Sequence, residues 1–322
     1  KPVRPASLCA AIERALFSSK KTEAAPRKPQ NGEEQTLAAR IPWRILLVDD
    51  NAINQKVAAR ILQQLGYRPD LAANGREALA ALDKQPYDLV FMDIMMPEMD
   101  GYEATRLIRE REKTATSLPR PRTLIVAMTA HALPSDRERC LAAGMDDYLA
   151  KPIRPNDVRG IIEKWAAQRA ATVSAPPAST QGSPAIASAP AVSESIASAL
   201  EPPVELSRLI DLTDGNAESL RELLEMFYRQ TEQQLDQIEN AVRAGNADEV
   251  RRLAHSGKGA SATLGMAPLA AVLLQLEQLG KSGALTGAEP LCATARREYQ
   301  TIRDFLSAHP LLTGTPPLPT SP

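Results

Sequence analysis

Five short strand-like runs, most of them apolar, alternate with helical patterns between residues 44 and 170, and this alternation constrains the fold most. Residues 44–48, 68–72, 88–92, 123–128 and 147–150 read as strands, because strands inside parallel sheets are apolar on both faces. Ile53, Val57, Ile61, Leu62 and Leu65 follow the first run at helical spacing, with Gly66 as a stop. Asn74-Gly75 opens a helix carrying Ala78, Leu79 and Leu82; others are expected at 102–111, 134–143 and up to about 169. Strands alternating with helices of this length predict an α/β doubly wound parallel five-stranded sheet. Right-handed crossovers bring the carboxyl ends of its strands to one edge, where open sheets of this kind place ligands.

That edge collects Asp49 and Asp50, Asp93 within VFMDIMMPEMDG, Thr129, and Lys151 followed by Pro152. Three converging carboxylates repel one another unless a hard cation sits among them, and Mg²⁺ suits an oxygen-only site. Lysine is no ligand there, but it neutralises an incoming anion, and the threonine hydroxyl donates to an anion oxygen. The set fits an arriving phosphoryl group with Asp93 as nucleophile, since a carboxylate is already ionised at neutral pH. No GxxxxGK[ST] loop occurs, so no ATP-driven reaction is expected of this segment.

The rest of the chain divides by composition. Residues 171–203 are rich in Ala, Ser and Pro and lack aromatics, the composition of a flexible linker. Beyond it, 204–309 is helical throughout. Leu220, Leu223, Leu224 and Phe227 form one stripe and Leu235, Ile238 and Val242 a second. Leu269, Val272, Leu273, Leu276 and Leu279 form a third, and Tyr299, Ile302 and Phe305 a fourth. An all-α antiparallel helical bundle, separate from the sheet domain, is expected. Asn246 caps a further helix that carries His255, Lys258 and Gly259 on one face. Gly259 costs a helix up to ~1 kcal/mol relative to alanine, and a protein surface approaching the histidine would account for it. The tail, 310–322, reads as disordered.

The amino-terminal residues contain a partial repeat. Lys1-Pro2-Val3-Arg4-Pro5 and its amphipathic sequel echo Lys151-Pro152-Ile153-Arg154-Pro155, so 1–17 is expected to be the last helix of a preceding domain of the same type. Residues 18–42 read as a linker, which leaves 43–170 as the sheet domain. The chain begins with Lys1, as a processed or excised piece would. Its formal charge of -1 gives no basic field for nucleic acid or an anionic membrane. Cys9, Cys140 and Cys292 are widely spaced and fit free thiols in a reducing compartment. No apolar run is long enough to span a bilayer.

Residues 44–168 resemble the receiver domain of two-component signalling, of the type in hybrid sensor histidine kinases. LLVDDNAINQKV, VFMDIMMPEMDG, IVAMTAHA and DDYLAKPI carry the likeness. The resemblance implies that Asp93 is the phosphoacceptor and that Asp50, Asp93 and the main-chain carbonyl of Met95 hold Mg²⁺, with Asp49 acting through a water. It implies a switch role for Thr129 and Tyr148, a phosphate-pairing role for Lys151, and a cis peptide before Pro152. AHSGKGASATLG resembles the signature of a histidine phosphotransfer domain, which makes His255 a second phosphoacceptor and Lys258 its phosphate-stabilising partner. Gly257 departs from the leucine usual there, and two glycines in three residues are expected to loosen the helix. Together the resemblances imply a phosphorelay: from a kinase histidine, upstream in the same polypeptide, to Asp93, then to His255, then to a separate response regulator. A bacterial source, a cytoplasmic segment and a parent anchored in the inner membrane are expected. The alternative is a pair of docking modules that regulate a kinase by binding.

Overall fold

A computed structural model describes residues 36–114, 122–129, 134–174, 202–213 and 215–309. The expected helix at 1–17, the linker residues 18–35 and 175–201, Cys9, His131 and the tail lie outside the described residues. In chain order the elements are α1 (Leu37–Arg40), β1 (Ile45–Val48), α2 (Ala52–Gln64), β2 (Asp70–Ala72), α3 (Gly75–Lys84), β3 (Leu89–Asp93), α4 (Gly101–Thr114), β4 (Leu124–Thr129), α5 (Pro134–Ala142), β5 (Asp147–Ala150) and α6 (Pro155–Ser174). Then follow α7 (Leu206–Thr213), α8 (Ala217–Arg243), α9 (Ala247–Thr263), α10 (Ala267–Ser282) and α11 (Ala288–Ser307).

The strands are all parallel, in the order β2-β1-β3-β4-β5. Alternation along them buries both faces: Ile45, Leu47, Leu89, Phe91 and Val126 feed one apolar layer, and Leu46, Val48, Val90, Met92, Ile125 and Ala127 the other. This is why the inner strands β1, β3 and β4 are apolar up to their last residues, whereas the edge strands β2 and β5 carry Asp70 and Asp147 and are partly exposed. Asp93 is the last residue of β3, in register with Met128, rather than the first residue beyond the strand. The paired backbone therefore fixes its position.

Three boundaries differ from the sequence expectation. Residues 36–42, read as linker, are part of the sheet domain. Leu37 is buried, Ala38 N donates to Leu65 O at 3.1 Å, and the Tyr67 hydroxyl donates to Ile41 O at 2.8 Å. Helix α6 runs on to Ser174, four residues into the stretch expected as linker. The first two bundle stripes share one 27-residue helix, α8, because RQTEQQ between them holds no breaker.

From Thr36 onward the chain forms one compact unit, and the bundle packs against the sheet domain through α2, which touches α7, α8 and α9. Asn51 Nδ2 donates to Ser256 Oγ at 3.1 Å and to Ser256 O at 3.3 Å. Thr263 Oγ1 donates to Asn54 Oδ1 at 3.1 Å. Lys56 pairs with Glu222 at 2.6 Å, an exposed ion pair that contributes little. Small polar residues make its hydrogen bonds, and a single apolar cluster contains residues of both domains.

Candidate functional site

The carboxyl edge of the sheet gathers the acidic site. Asp49 and Asp50 follow β1, Asp93 ends β3, Thr129 ends β4 and Lys151 follows β5. Carboxylate oxygens of Asp49, Asp50 and Asp93 lie within 4.8 Å of one another. Lys151 Nζ sits 2.7 Å from Asp49 Oδ2 and 2.7 Å from Asp93 Oδ2. The peptide before Pro152 is cis, and Lys151 N donates to Thr129 O at 2.7 Å. Ile94 N donates to Asp93 Oδ1 at 2.8 Å, so Oδ2 is the oxygen that faces Lys151. Met95 lies two residues past Asp93 in a loop folded back on itself, where Gly101 N donates to Ile94 O at 2.9 Å. Tyr148 is in register with Ala127 of β4 and packs beside the second apolar layer.

Charge balance is uneven in this pocket. Burial, with the Asp49 and Asp50 charges added, pushes the Asp93 carboxyl up to about 6 against the pull of Lys151. Burial and neighbouring Asp49 likewise raise Asp50 to about 6. Burial alone would lower the Lys151 ammonium, but Asp49 and Asp93 outweigh it and raise it above the ordinary lysine range. Three carboxylates against one ammonium leave excess negative charge on an all-oxygen donor set, and this fits a hard divalent cation.

The second site is built inside the bundle. His255 and Lys258, both buried, share one carboxylate that sequence reading missed. Glu277 on α10 lies 2.7 Å from His255 Nδ1 and 2.6 Å from Lys258 Nζ. When the ring carries one proton and donates Nδ1–H to that carboxylate, the Nε2 lone pair is available. Burial opposes the Glu277 charge, but hydrogen bonding and the charges of His255 and Lys258 prevail and hold its carboxyl down at about 2. A depressed carboxylate stabilises the fold in full above its ordinary value of 4.5, and this contribution disappears as pH falls through about 2. After discounting for screening it amounts to about 2 kcal/mol. Thermal unfolding should therefore weaken more steeply between these pH values in the parent chain than in Glu277→Gln.

Both glycines beside the histidine have steric reasons. A Cβ on Gly257 would stand 2.8 Å from Gln234 Oε1. Gln234 occupies that space in order to donate to Leu253 O at 2.8 Å. Helix α9 is continuous from Ala247 to Thr263, so the expected loosening is absent. A Cβ on Gly259 would stand 3.3 Å from Asn54 Nδ2 of α2, so a protein surface does approach there. Gly259→Leu should leave the bundle folded but push it off the sheet domain, seen as a larger radius of gyration in small-angle scattering. An unchanged radius would mean that the contact tolerates bulk.

His309 stacks beside Phe305, with ring centroids 6.3 Å apart. Cys140 and Cys292 are buried and form no disulfide among the described residues. None of the described helices is long and apolar enough to cross a membrane. Besides Glu277, sequence reading passed over Asn51, Asn54, Ser256 and Thr263. Asn51 was legible as the cap of α2, where its side chain accepts from Ile53 N and Asn54 N; its second role, donating across the domain contact, was not.

Comparison with known proteins identifies both halves. Residues 45–163 match the response regulator receiver domain, and residues 222–305 match the Hpt domain. Sensor histidine kinase GacS of Pseudomonas protegens is 41% identical over 140 residues, covering 44% of this chain and 15% of that protein. Hybrid signal transduction histidine kinase B of Dictyostelium discoideum is 45% identical over 120 residues, covering 36% of this chain and 6% of that protein. The receiver domain of a Pseudomonas aeruginosa sensor histidine kinase, solved with a magnesium ion coordinated in its active-site cleft, is 45% identical. It covers 39% of this chain and 98% of that one, with a TM-score of 0.35. The fold and the two sites define a segment of two-component phosphorelay signalling. The chain carries a receiver domain and an Hpt domain, and its matched part is similar to sensor and hybrid histidine kinases. It spans 15% or less of the length of these two curated relatives. Relatives from Pseudomonas and Dictyostelium both match, so the expected bacterial source is not singled out.

Proposed function

We propose that this segment passes a phosphoryl group from a kinase histidine to Asp93, from Asp93 to His255, and from His255 to the aspartate of a separate response regulator. The observation that carries this reading is the contact between Asn51 and Ser256. It joins the residue after Asp50 to the residue after His255, and so brings the two acceptor neighbourhoods together.

The Asp93 carboxylate forms an O–P bond as the N–P bond of the donor histidine breaks and its electron pair returns to that imidazole, with Lys151 offsetting the charge of the arriving anion. Asp50, Asp93 and the Met95 carbonyl would hold Mg²⁺, with Asp49 assisting; when bound, the ion would neutralise phosphoryl oxygens. Thr129 and Tyr148 take the switch positions at the same edge. In the onward step the acyl O–P bond breaks and its electron pair returns to the Asp93 carboxylate. The N–P bond forms from the His255 Nε2 lone pair. The proton stays on Nδ1, and the positive charge that develops on the ring is balanced by Glu277. Lys258, on the other oxygen of Glu277, supplies a cation one turn from the acceptor. Cys140 and Cys292, reduced and buried, accord with a reducing, cytoplasmic setting, and the kinase core would belong to the same polypeptide.

The test is labelling with radioactive acetyl phosphate and Mg²⁺, followed by splitting the label by chemical stability. Acyl phosphates are lost in alkali, whereas phosphohistidine survives alkali and is lost in acid. Both classes are expected. Label of the alkali-labile class alone would favour a bundle that only docks, and no label at all would favour the binding-only alternative.

A further inference from the structure

The two helices at the domain contact run alongside one another in the same direction. Ser256 meets Asn51, while Gly259 and Thr263, further along α9, meet Asn54, further along α2. Going backwards along α9 from Ser256 therefore leads toward the start of α2, which Asp50 immediately precedes. Arg252 lies in that direction, one turn or ~6 Å before Ser256 on the same stripe. The Glu249 hydrogen bond chiefly raises the Arg252 guanidinium, with Asp50 adding a smaller pull, and Arg252 in turn weakly opposes the burial that raises the Asp50 carboxyl. Arg252 is aimed rather than loose. Its Nε lies 2.9 Å from Glu249 Oε2 and its Nη2 2.5 Å from Glu249 Oε1, which leaves the Nη1 edge for another acceptor. Lys258, by contrast, is engaged inside the bundle by Glu277.

We propose that Arg252 is a positioning residue for the transfer step, a guanidinium that the Hpt domain lays over the Asp50 rim of the receiver site to hold the phosphoryl group between Asp93 and His255. This rests on the relay reading above. In transit the phosphoryl carries its charge on three equatorial oxygens, and a planar guanidinium matches them better than a point charge does. The same placement sets a trade-off. A fixed positive charge near Asp50 opposes a divalent cation at the acidic site, so it weakens Mg²⁺ binding while favouring the phosphoryl.

Two measurements on the full chain test this. After Asp93 is loaded, single-turnover appearance of alkali-stable label should slow at least about tenfold in Arg252→Ala, the size expected for losing a charge-assisted hydrogen bond. Arg252→Lys should recover part of that loss. Calorimetric titration with Mg²⁺ should show tighter binding in Arg252→Ala than in the parent, an effect that mere support of the helix would not produce. Parent-like transfer in Arg252→Ala overturns the inference. Slow transfer with unchanged Mg²⁺ affinity and no recovery by lysine also overturns it. If the parent itself never labels His255, the relay reading has failed and the inference falls with it.

Discussion

Asp93→Asn is expected to abolish label at both acceptors, leaving a chain that folds at least as well as the parent. The amide retains an oxygen for the Ile94 N–H but offers no carboxylate nucleophile. Because His255 receives only from Asp93 in this account, its label disappears too, although no atom of the bundle has changed. Stability should hold or rise. Burial and the Asp49 and Asp50 charges push the Asp93 carboxyl up to about 6. A raised carboxylate contributes stability below its unfolded value and loses it as pH rises through its folded value, so its charge is a cost at neutral pH. Site-resolved labelling with thermal unfolding checks both halves. Label at His255 in Asp93→Asn would mean that the histidine takes phosphoryl directly from acetyl phosphate.

The second large effect is expected at Glu277→Ala. Two buried side chains, His255 and Lys258, depend on this one carboxylate. Removing it strands the Lys258 ammonium in a largely dry position, a change that costs about 3–5 kcal/mol. For a domain of this size the unfolding temperature should fall by on the order of 15 °C. His255 would also lose the partner that fixes its tautomer and ring orientation, so transfer should slow in whatever fraction remains folded. Glu277→Gln, which keeps a polar partner but not the charge, should lose less stability. A Glu277→Ala bundle melting within a few degrees of the parent would show that the carboxylate does not hold the pair.

The parts of the sequence that announced their roles did so through strong local chemistry. Asp49, Asp50, Asp93, Thr129 and Lys151 each stand at the end of an apolar run, and parallel topology allows those ends only one meeting place. His255 and Lys258 were legible from helical spacing. Glu277 was not: on α10 it reads as one of the polar residues between apolar stripe positions, and only packing of α10 on α9 turns it inward. Residues 36–42 looked like linker because only Leu37 is buried in their short helix, with Ala38 and Ile41 packed beside it, and so short a run before Pro42 shows no periodicity to detect. The domain contact was invisible for a related reason. Asn51, Asn54, Ser256 and Thr263 are ordinary cap and helix-surface residues until a partner is placed opposite them. Gly259 was the exception, since a glycine within a helix calls for a reason, and the nearby Asn54 amide supplies one.

The most direct test of the relay within one chain is the rate at which label leaves Asp93 and appears at His255, followed after Asp93 loading across a wide range of protein concentration. A tethered, docked pair holds its acceptors at an effective concentration near the millimolar range. The account therefore predicts a first-order rate independent of protein concentration. It also predicts that a mixture of Asp93→Asn and His255→Gln chains relays far more slowly than the parent. A rate proportional to concentration, or a mixture that relays as fast as the parent, would contradict it.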